Sequence, residues 1–190
     1  MSTIVVAKKN GIAAIGADTL TKHGYTKQQA SFIANHSKII KIGQSYMAIT
    51  GDASLWQVLS HYLGRQETLP GLESPDAIFE FARNLHRVMK EEYFLNPRED
   101  EKDPFESSQL DCLIANSSGI FGLYSLRSVD EFTSYYAFGA GGRFALGAMH
   151  AMVRRVDSAE ELARVGLAAA AEFDDETGGP FEVKTIKLQG

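Results

Sequence analysis

What most constrains this chain is how early it commits to a strand. Thr3-Ile4-Val5-Val6-Ala7 is a β-branched and small-residue run, Lys8-Lys9-Asn10-Gly11 follows, and a second such run covers Ile12 to Asp18. Asn-Gly between two such runs is the strongest short-range hairpin signal, because both turn residues tolerate positive φ. Chain ends fray unless something ties them down, so a strand starting at the third residue predicts an anchored terminus. The residue just before it is Ser2. If Met1 is removed, Ser2 carries a hydroxyl and a free α-amine, a weak nucleophile with a base on the same residue. An α-amine titrates at about 7.7–8.0 in ordinary surroundings, so a modest downward shift makes it a usable base at neutral pH. While Met1 stays, that amine is held in a peptide bond.

Composition narrows the classes. At 190 residues the chain suits a single domain, 1–190, with a sizeable core. Its 44% hydrophobic and 23% charged residues are ordinary for a soluble globular protein. A formal net charge of −5 argues against a general binder of nucleic acid or anionic membrane, so neither is expected as a partner. The single cysteine, Cys112, removes an internal disulfide framework and fits a reducing cytoplasm, the expected location. No apolar run approaches the roughly 20 residues of a membrane span, and the N-terminus lacks the features of a secretory signal.

Along the chain, Thr19 to Ser37 reads as a loop or an irregular hairpin, and Lys38–Ile42 with Tyr46–Thr50 as a hairpin around Gly43. Leu55, Val58, Leu59, Tyr62 and Leu63 recur at helical spacing before Gly64. Ser74-Pro75-Asp76 is a helix start, with a cap, a proline at the first helical position and an acid in the first turn. Ile78, Phe81, Ala82, Leu85, Val88 and Met89 give that helix an apolar stripe. An acidic loop then interrupts the pattern at about 94–109, where Pro97 and Pro104 forbid a regular helix. Leu110–Ala115, Gly119–Ser125 and Phe132–Phe138 read as strands, and Arg143 to about Val153 as a helix. Ser158 with Glu161 forms a capping box opening a helix to about Glu172, and Phe181–Leu188 alternates as a final strand. Strands in runs separated by helix pairs predict an α+β protein, with antiparallel sheets between helix layers.

Several residues bear on chemistry. A lysine beside an α-amine lowers its pKa by like-charge repulsion, and Lys38 is placed for this at a strand end. Asp18, closing the neighbouring strand, could hold that lysine charged and in place. Gly51 follows an apolar strand and opens a helix, a position that can present backbone N–H groups to a developing oxyanion. Gly139-Ala140-Gly141-Gly142 precedes a helix but lacks the Gly-Lys-Ser/Thr ending of a phosphate loop. Asp174-Asp175-Glu176 could invite a divalent cation, although the spacing is not an EF-hand loop.

In order, these landmarks resemble a known family. Ser2-Thr3-Ile4-Val5-Val6, the Asn10-Gly11 turn and Ile15-Gly16-Ala17-Asp18 resemble the opening of proteasome-type β-subunits, in which a terminal Thr-Thr-Ile run leads into such an aspartate. Lys38, Gly51, the Gly139–Gly142 turn, and Asp174 with Thr177-Gly178-Gly179 match later landmarks of the same family. Compact length and the absence of a propeptide are similar to the HslV branch. The acidic loop and terminal serine are similar to its betaproteobacterial proteasome homologue (BPH) group.

The resemblance implies an N-terminal nucleophile (Ntn) hydrolase with a four-layer αββα sandwich, two antiparallel sheets between helix layers. It further implies a self-compartmentalising peptidase: a homo-oligomeric double ring of about twelve to fourteen subunits acting on peptides or unfolded protein, with an AAA+ unfoldase as a candidate partner. Carried over, Ser2 is the nucleophile, Lys38 sets the electrostatics, Asp18 pairs with it and the Gly51 N–H serves the oxyanion. Asp174 and Thr177 orient the terminal amine. No cofactor is required, although backbone carbonyls of Ala171, Asp174 and Thr177 could hold a structural Na⁺ or Mg²⁺. In this family the acidic loop projects toward the inner pore, so Glu99, Asp100, Glu101 and Asp103 are expected to favour basic substrates. Two residues depart from the family pattern: Ser2 stands where threonine is usual, and Ala140 where a serine hydroxyl relays protons. These departures leave two other readings open, a catalytically silent ring that binds peptides and an amidohydrolase acting on a small amide.

Overall fold

The computed structural model describes residues 2–97 and 103–189. β1 (Thr3–Lys9) and β2 (Ile12–Ala17) form the expected hairpin, and Asn10 and Gly11 both adopt positive φ, 50° and 72°. β10 (Tyr135–Gly139) and β11 (Glu182–Lys187) flank them, giving a four-stranded antiparallel sheet in the order β10-β1-β2-β11. The second sheet is five-stranded and antiparallel, β5-β6-β7-β8-β9. Its strands are β5 (Ile39–Ile42), β6 (Ser45–Thr50), β7 (Asp111–Ala115), β8 (Ile120–Leu123) and β9 (Val129–Phe132).

Side-chain alternation sorts these strands into three cores and thereby into four layers. Ile4 and Val6 of β1, with Ala13, Ile15 and Ala17 of β2, meet Ala48, Leu113 and Ile120 between the two sheets. The opposite face of the first sheet, Val5, Ala7 and Ala14, packs on α3 (Gly142–Met152) and α4 (Ala159–Phe173). The opposite face of the second, Met47, Ile49, Cys112, Ile114 and Phe121, packs on α1 (Ser54–Gly64) and α2 (Pro75–Glu92). The architecture is the αββα sandwich. Ile4, Val5, Val6 and Ala7 are fully buried, so β1 has a hydrophobic layer on each face. That double burial is what anchors a chain end otherwise prone to fray.

The helix signals act as expected. Ser74 Oγ accepts from the Ala77 N–H at 3.2 Å with Pro75 at the first helical position. Ser158 Oγ accepts from the Glu161 N–H at 3.0 Å, while the Glu161 carboxylate reaches back to the Asp157 N–H at 3.3 Å. The stretch 19–37 resolves as a short hairpin, β3 (Thr21–His23) with β4 (Thr26–Gln28), followed by a 3-10 turn at Ala30–Phe32.

One element differs. The expected strand Phe132–Phe138 takes in only the last residue of β9, whose residues 129–131 fall where the sequence predicts no strand, and β10 starts at Tyr135 in the first sheet. The chain changes sheets over Thr133-Ser134. Aromatic and β-branched residues suit both strands, so the pattern carried no break. Phe132 and Tyr136 stack across the change, with ring centroids 4.2 Å apart.

Candidate active site

The ends of the two sheets converge on the start of β1. Thr3 pairs with Gly139 at the end of β10, and the Ser2 carbonyl accepts the Ala140 N–H at 3.1 Å. Gly139 is held at φ 96°, and a Cβ there would lie 1.7 Å from the Ser2 carbonyl oxygen. No residue but glycine lets the two chains approach so closely. Thr50, at the end of β6, puts its Cγ2 3.2 Å from the same point, so the second sheet closes over this corner. Ser2 is itself buried.

Asp18, fully buried just after β2, is the hub. Its Oδ1 accepts from the Thr3 N–H at 2.9 Å and from the Lys38 ammonium at 2.7 Å. Its Oδ2 accepts from the Leu20 N–H at 3.0 Å and the Gly178 N–H at 3.2 Å. Asp18 therefore ties Lys38 to the amide that follows Ser2. Lys38, just before β5, also donates to the Leu20 carbonyl at 2.6 Å. Burial pushes the Lys38 ammonium below its usual range, and the attraction of Asp18 offsets only part of that. The charge is held in place yet made easier to lose.

A second network reaches the same strand from α4. Asp174 caps that helix, and Thr177 Oγ1 donates to its carboxylate. Thr177 Oγ1 lies 2.6 Å from Thr3 Oγ1, which also accepts the Gly141 N–H at 2.9 Å. The structure thus brings Ser2, Asp18, Lys38, Asp174 and Thr177 to one end of the sandwich. Thr3, Leu20, Gly141 and Gly178 were missed as members of the network. Thr3 reads as an ordinary strand former, and the other three act through their backbones, which sequence does not display.

Gly51 follows Thr50 with φ 123°; a Cβ there would meet Leu55 Cδ1 at 2.6 Å and the Gln109 carbonyl at 3.0 Å. The position requires glycine for backbone shape and for the close approach of residue 109. Of the acidic loop, Glu99, Asp100 and Glu101 lie outside the described residues, and Asp103 is exposed. The base of the loop is clamped to α2: Glu106 pairs with Lys90 and with His86 at 3.2 Å, and His86 Nδ1 lies 2.9 Å from Ser108 Oγ.

Ala171 lies in the last turn of α4, whose carbonyls lack intrahelical donors and form the negative end of the helix. That suits a cation, although the Asp174 carbonyl already accepts the Thr177 N–H at 3.3 Å. Among the described residues no three His, Cys, Asp or Glu side chains gather as a metal site. No described helix is long and apolar enough to cross a membrane.

No protein-family model matches the chain, and no curated protein matches it significantly. Solved structures do match. Thiobacillus denitrificans BPH in complex with epoxomicin is 44% identical, with a TM-score of 0.93 over 99% of this chain and 100% of that one. Another structure of Thiobacillus denitrificans BPH is 45% identical, with a TM-score of 0.93 over 98% of each chain. Eukaryotic HslV from Trypanosoma brucei has a TM-score of 0.67 over 97% of this chain and 99% of that one; at 18% identity this is a likeness of fold.

Proposed function

The chain belongs to the proteasome-type β-subunit family, in its HslV-like branch, and on that premise we propose that it is one subunit of a ring peptidase whose nucleophile is Ser2. The observation that carries the reading is the Asp18 carboxylate, which joins the Lys38 ammonium to the Thr3 N–H beside Ser2. A buried lysine held there serves an adjacent amine better than it serves stability.

In this reading removal of Met1 frees the α-amine of Ser2. The amine, directly or through a water, takes the Ser2 Oγ proton as the oxygen attacks the scissile carbonyl carbon. Positive charge on Lys38 keeps the amine's pKa low enough to act at neutral pH. The Gly51 N–H serves the oxyanion, whose collapse breaks the C–N bond while the proton passes to the leaving amine. Water then hydrolyses the ester at Ser2. Asp174 and Thr177 hold Thr3, and through it the strand end carrying the nucleophile.

The proposed assembly is a cytoplasmic homo-oligomeric double ring of about twelve to fourteen subunits, acting on peptides or unfolded protein, with an AAA+ unfoldase as candidate partner. A structural Na⁺ or Mg²⁺ at the carbonyls of Ala171, Asp174 and Thr177 would stiffen the turn carrying the Asp174–Thr177 pair. The chemistry itself requires no cofactor. The loop acids Glu99, Asp100, Glu101 and Asp103 are proposed to favour basic substrates at the entrance.

Ala140 favours a second reading, a silent ring that binds peptides without cutting them. Its N–H still holds the Ser2 carbonyl, but it has no hydroxyl to relay a proton. Ser2→Ala decides between them. Loss of all peptide hydrolysis in an assembled variant, against measurable turnover by the parent, supports the enzyme; equal rates in both contradict it.

A further inference from the structure

The network around Ser2 leaves one nearby carboxylate unused. Asp111 opens β7, along which Cys112 and Ile114 face the α1–α2 core while Leu113 and Ala115 face the core between the sheets. The same alternation puts Asp111 on the inter-sheet side, at the corner where Ser2 lies. Its ladder partner is Thr50, whose Cγ2 is 3.2 Å from the Cβ position of Gly139, itself 1.7 Å from the Ser2 carbonyl oxygen. Opposed Cβ atoms in an antiparallel pair are about 4.5–5.5 Å apart. The Asp111 Cβ therefore stands within about 12 Å of the Ser2 carbonyl oxygen, roughly three to four residues of extended peptide. A long side chain one or two residues from the scissile bond spans that gap.

The carboxylate is also poorly compensated. Oδ1 accepts the Ser125 N–H at 2.9 Å, and among the described residues Asp111 forms no ion pair. The buried lysine of the site, Lys38, is taken by Asp18 and the Leu20 carbonyl. Half-burial raises the Asp111 carboxyl above its usual range, the mark of an anion that its surroundings do not fully satisfy. An anion of this kind is complementary to a cation that a ligand brings.

We propose that Asp111 is a specificity-determining residue that selects a lysine or arginine of the peptide one or two residues from the bond cut at Ser2. The proposal rests on the Ser2 reading and differs from that of the loop. Entrance acids act on a substrate's overall charge, whereas Asp111 acts on one position.

The test is a set of peptides sharing one scissile bond, with Lys, Gln or Glu scanned through the flanking positions and products mapped by mass spectrometry. The parent is expected to prefer Lys over Gln at one position near the bond. Asp111→Asn should lower that ratio by roughly fivefold or more, and Asp111→Glu should retain it. An unchanged ratio in Asp111→Asn overturns the proposal. If that variant does not assemble, the parent decides: a flanking preference that weakens with added salt supports the proposal. No such preference, or one indifferent to salt, overturns it. Cleavage that survives Ser2→Ala overturns the Ser2 reading and this inference with it, whereas an unchanged Lys-to-Gln ratio alongside Ser2-dependent cleavage removes only the role of Asp111.

Discussion

Replacing Asp18 by asparagine removes the group on which the site converges, and the cost can be worked from its contacts. The carboxylate is fully buried and accepts from the Thr3 N–H, the Lys38 ammonium, the Leu20 N–H and the Gly178 N–H. An amide of the same shape has one acceptor and one donor group. If its oxygen takes the place of Oδ1, its NH₂ faces the N–H groups of Leu20 and Gly178, donor against donor. The reverse orientation opposes the Thr3 N–H and Lys38 instead. Either way two buried donors lose their acceptor, and Lys38, with 11% side-chain exposure, loses its anion. Breaking a buried ion pair from one side costs about 3–5 kcal/mol, and stranded donors about 1–3 kcal/mol each. These terms overlap, so we expect a loss of about 4 kcal/mol. At about 2–4 °C per kcal/mol for a chain of this size, the Tm should fall by about 8–16 °C. Adding Lys38→Met removes the stranded charge and should return about 1–2 kcal/mol relative to Asp18→Asn alone. Denaturant and thermal unfolding of the parent, both single variants and the double variant, at matched protein concentration, give the cycle. An Asp18→Asn variant within 1 kcal/mol of the parent, or additive single effects, would refute the reasoning.

Three further variants have stated outcomes. Gly139→Ala places a methyl carbon 1.7 Å from the Ser2 carbonyl oxygen at a φ of 96°, so it should yield little soluble assembly and no peptide hydrolysis; a variant melting within a few degrees of the parent contradicts this. Ser2→Thr should hydrolyse the same peptide roughly threefold faster or more, because the methyl stiffens the hydroxyl's rotamer; an equal or slower kcat/KM would show the account of the missing methyl to be wrong. Neutralising Glu99, Asp100, Glu101 and Asp103 together should reduce the preference for basic over acidic peptides, measured as a kcat/KM ratio, and an unaltered ratio removes the loop from substrate choice.

How much of this was legible in the sequence depended on how local the cause was. The β1–β2 hairpin was written in Asn10-Gly11, and the start of α2 in Ser74-Pro75, because a turn or cap is decided by adjacent residues. The Phe132–Phe138 run hid a change of sheets, since β9 and β10 both accept aromatic and β-branched side chains and only tertiary packing separates them. The site divided along the same line. Asp18 and Lys38 could be picked out as strand-end charges. The hydroxyl of Thr3 could not, because its partners Gly141 and Thr177 lie 138 and 174 residues away in the chain. In the sequence Asp111 only closes the acidic stretch before β7, and it is the pairing with Thr50 that brings it to the corner where Ser2 lies.

The most direct test of the central claim is the intact mass of the native protein before and after reaction with a peptide epoxyketone, a reagent that needs a hydroxyl and a free amine on the same residue. The account predicts a chain lacking Met1 that gains one adduct, with both new bonds on Ser2. A chain lacking Met1 that gains no adduct would contradict it.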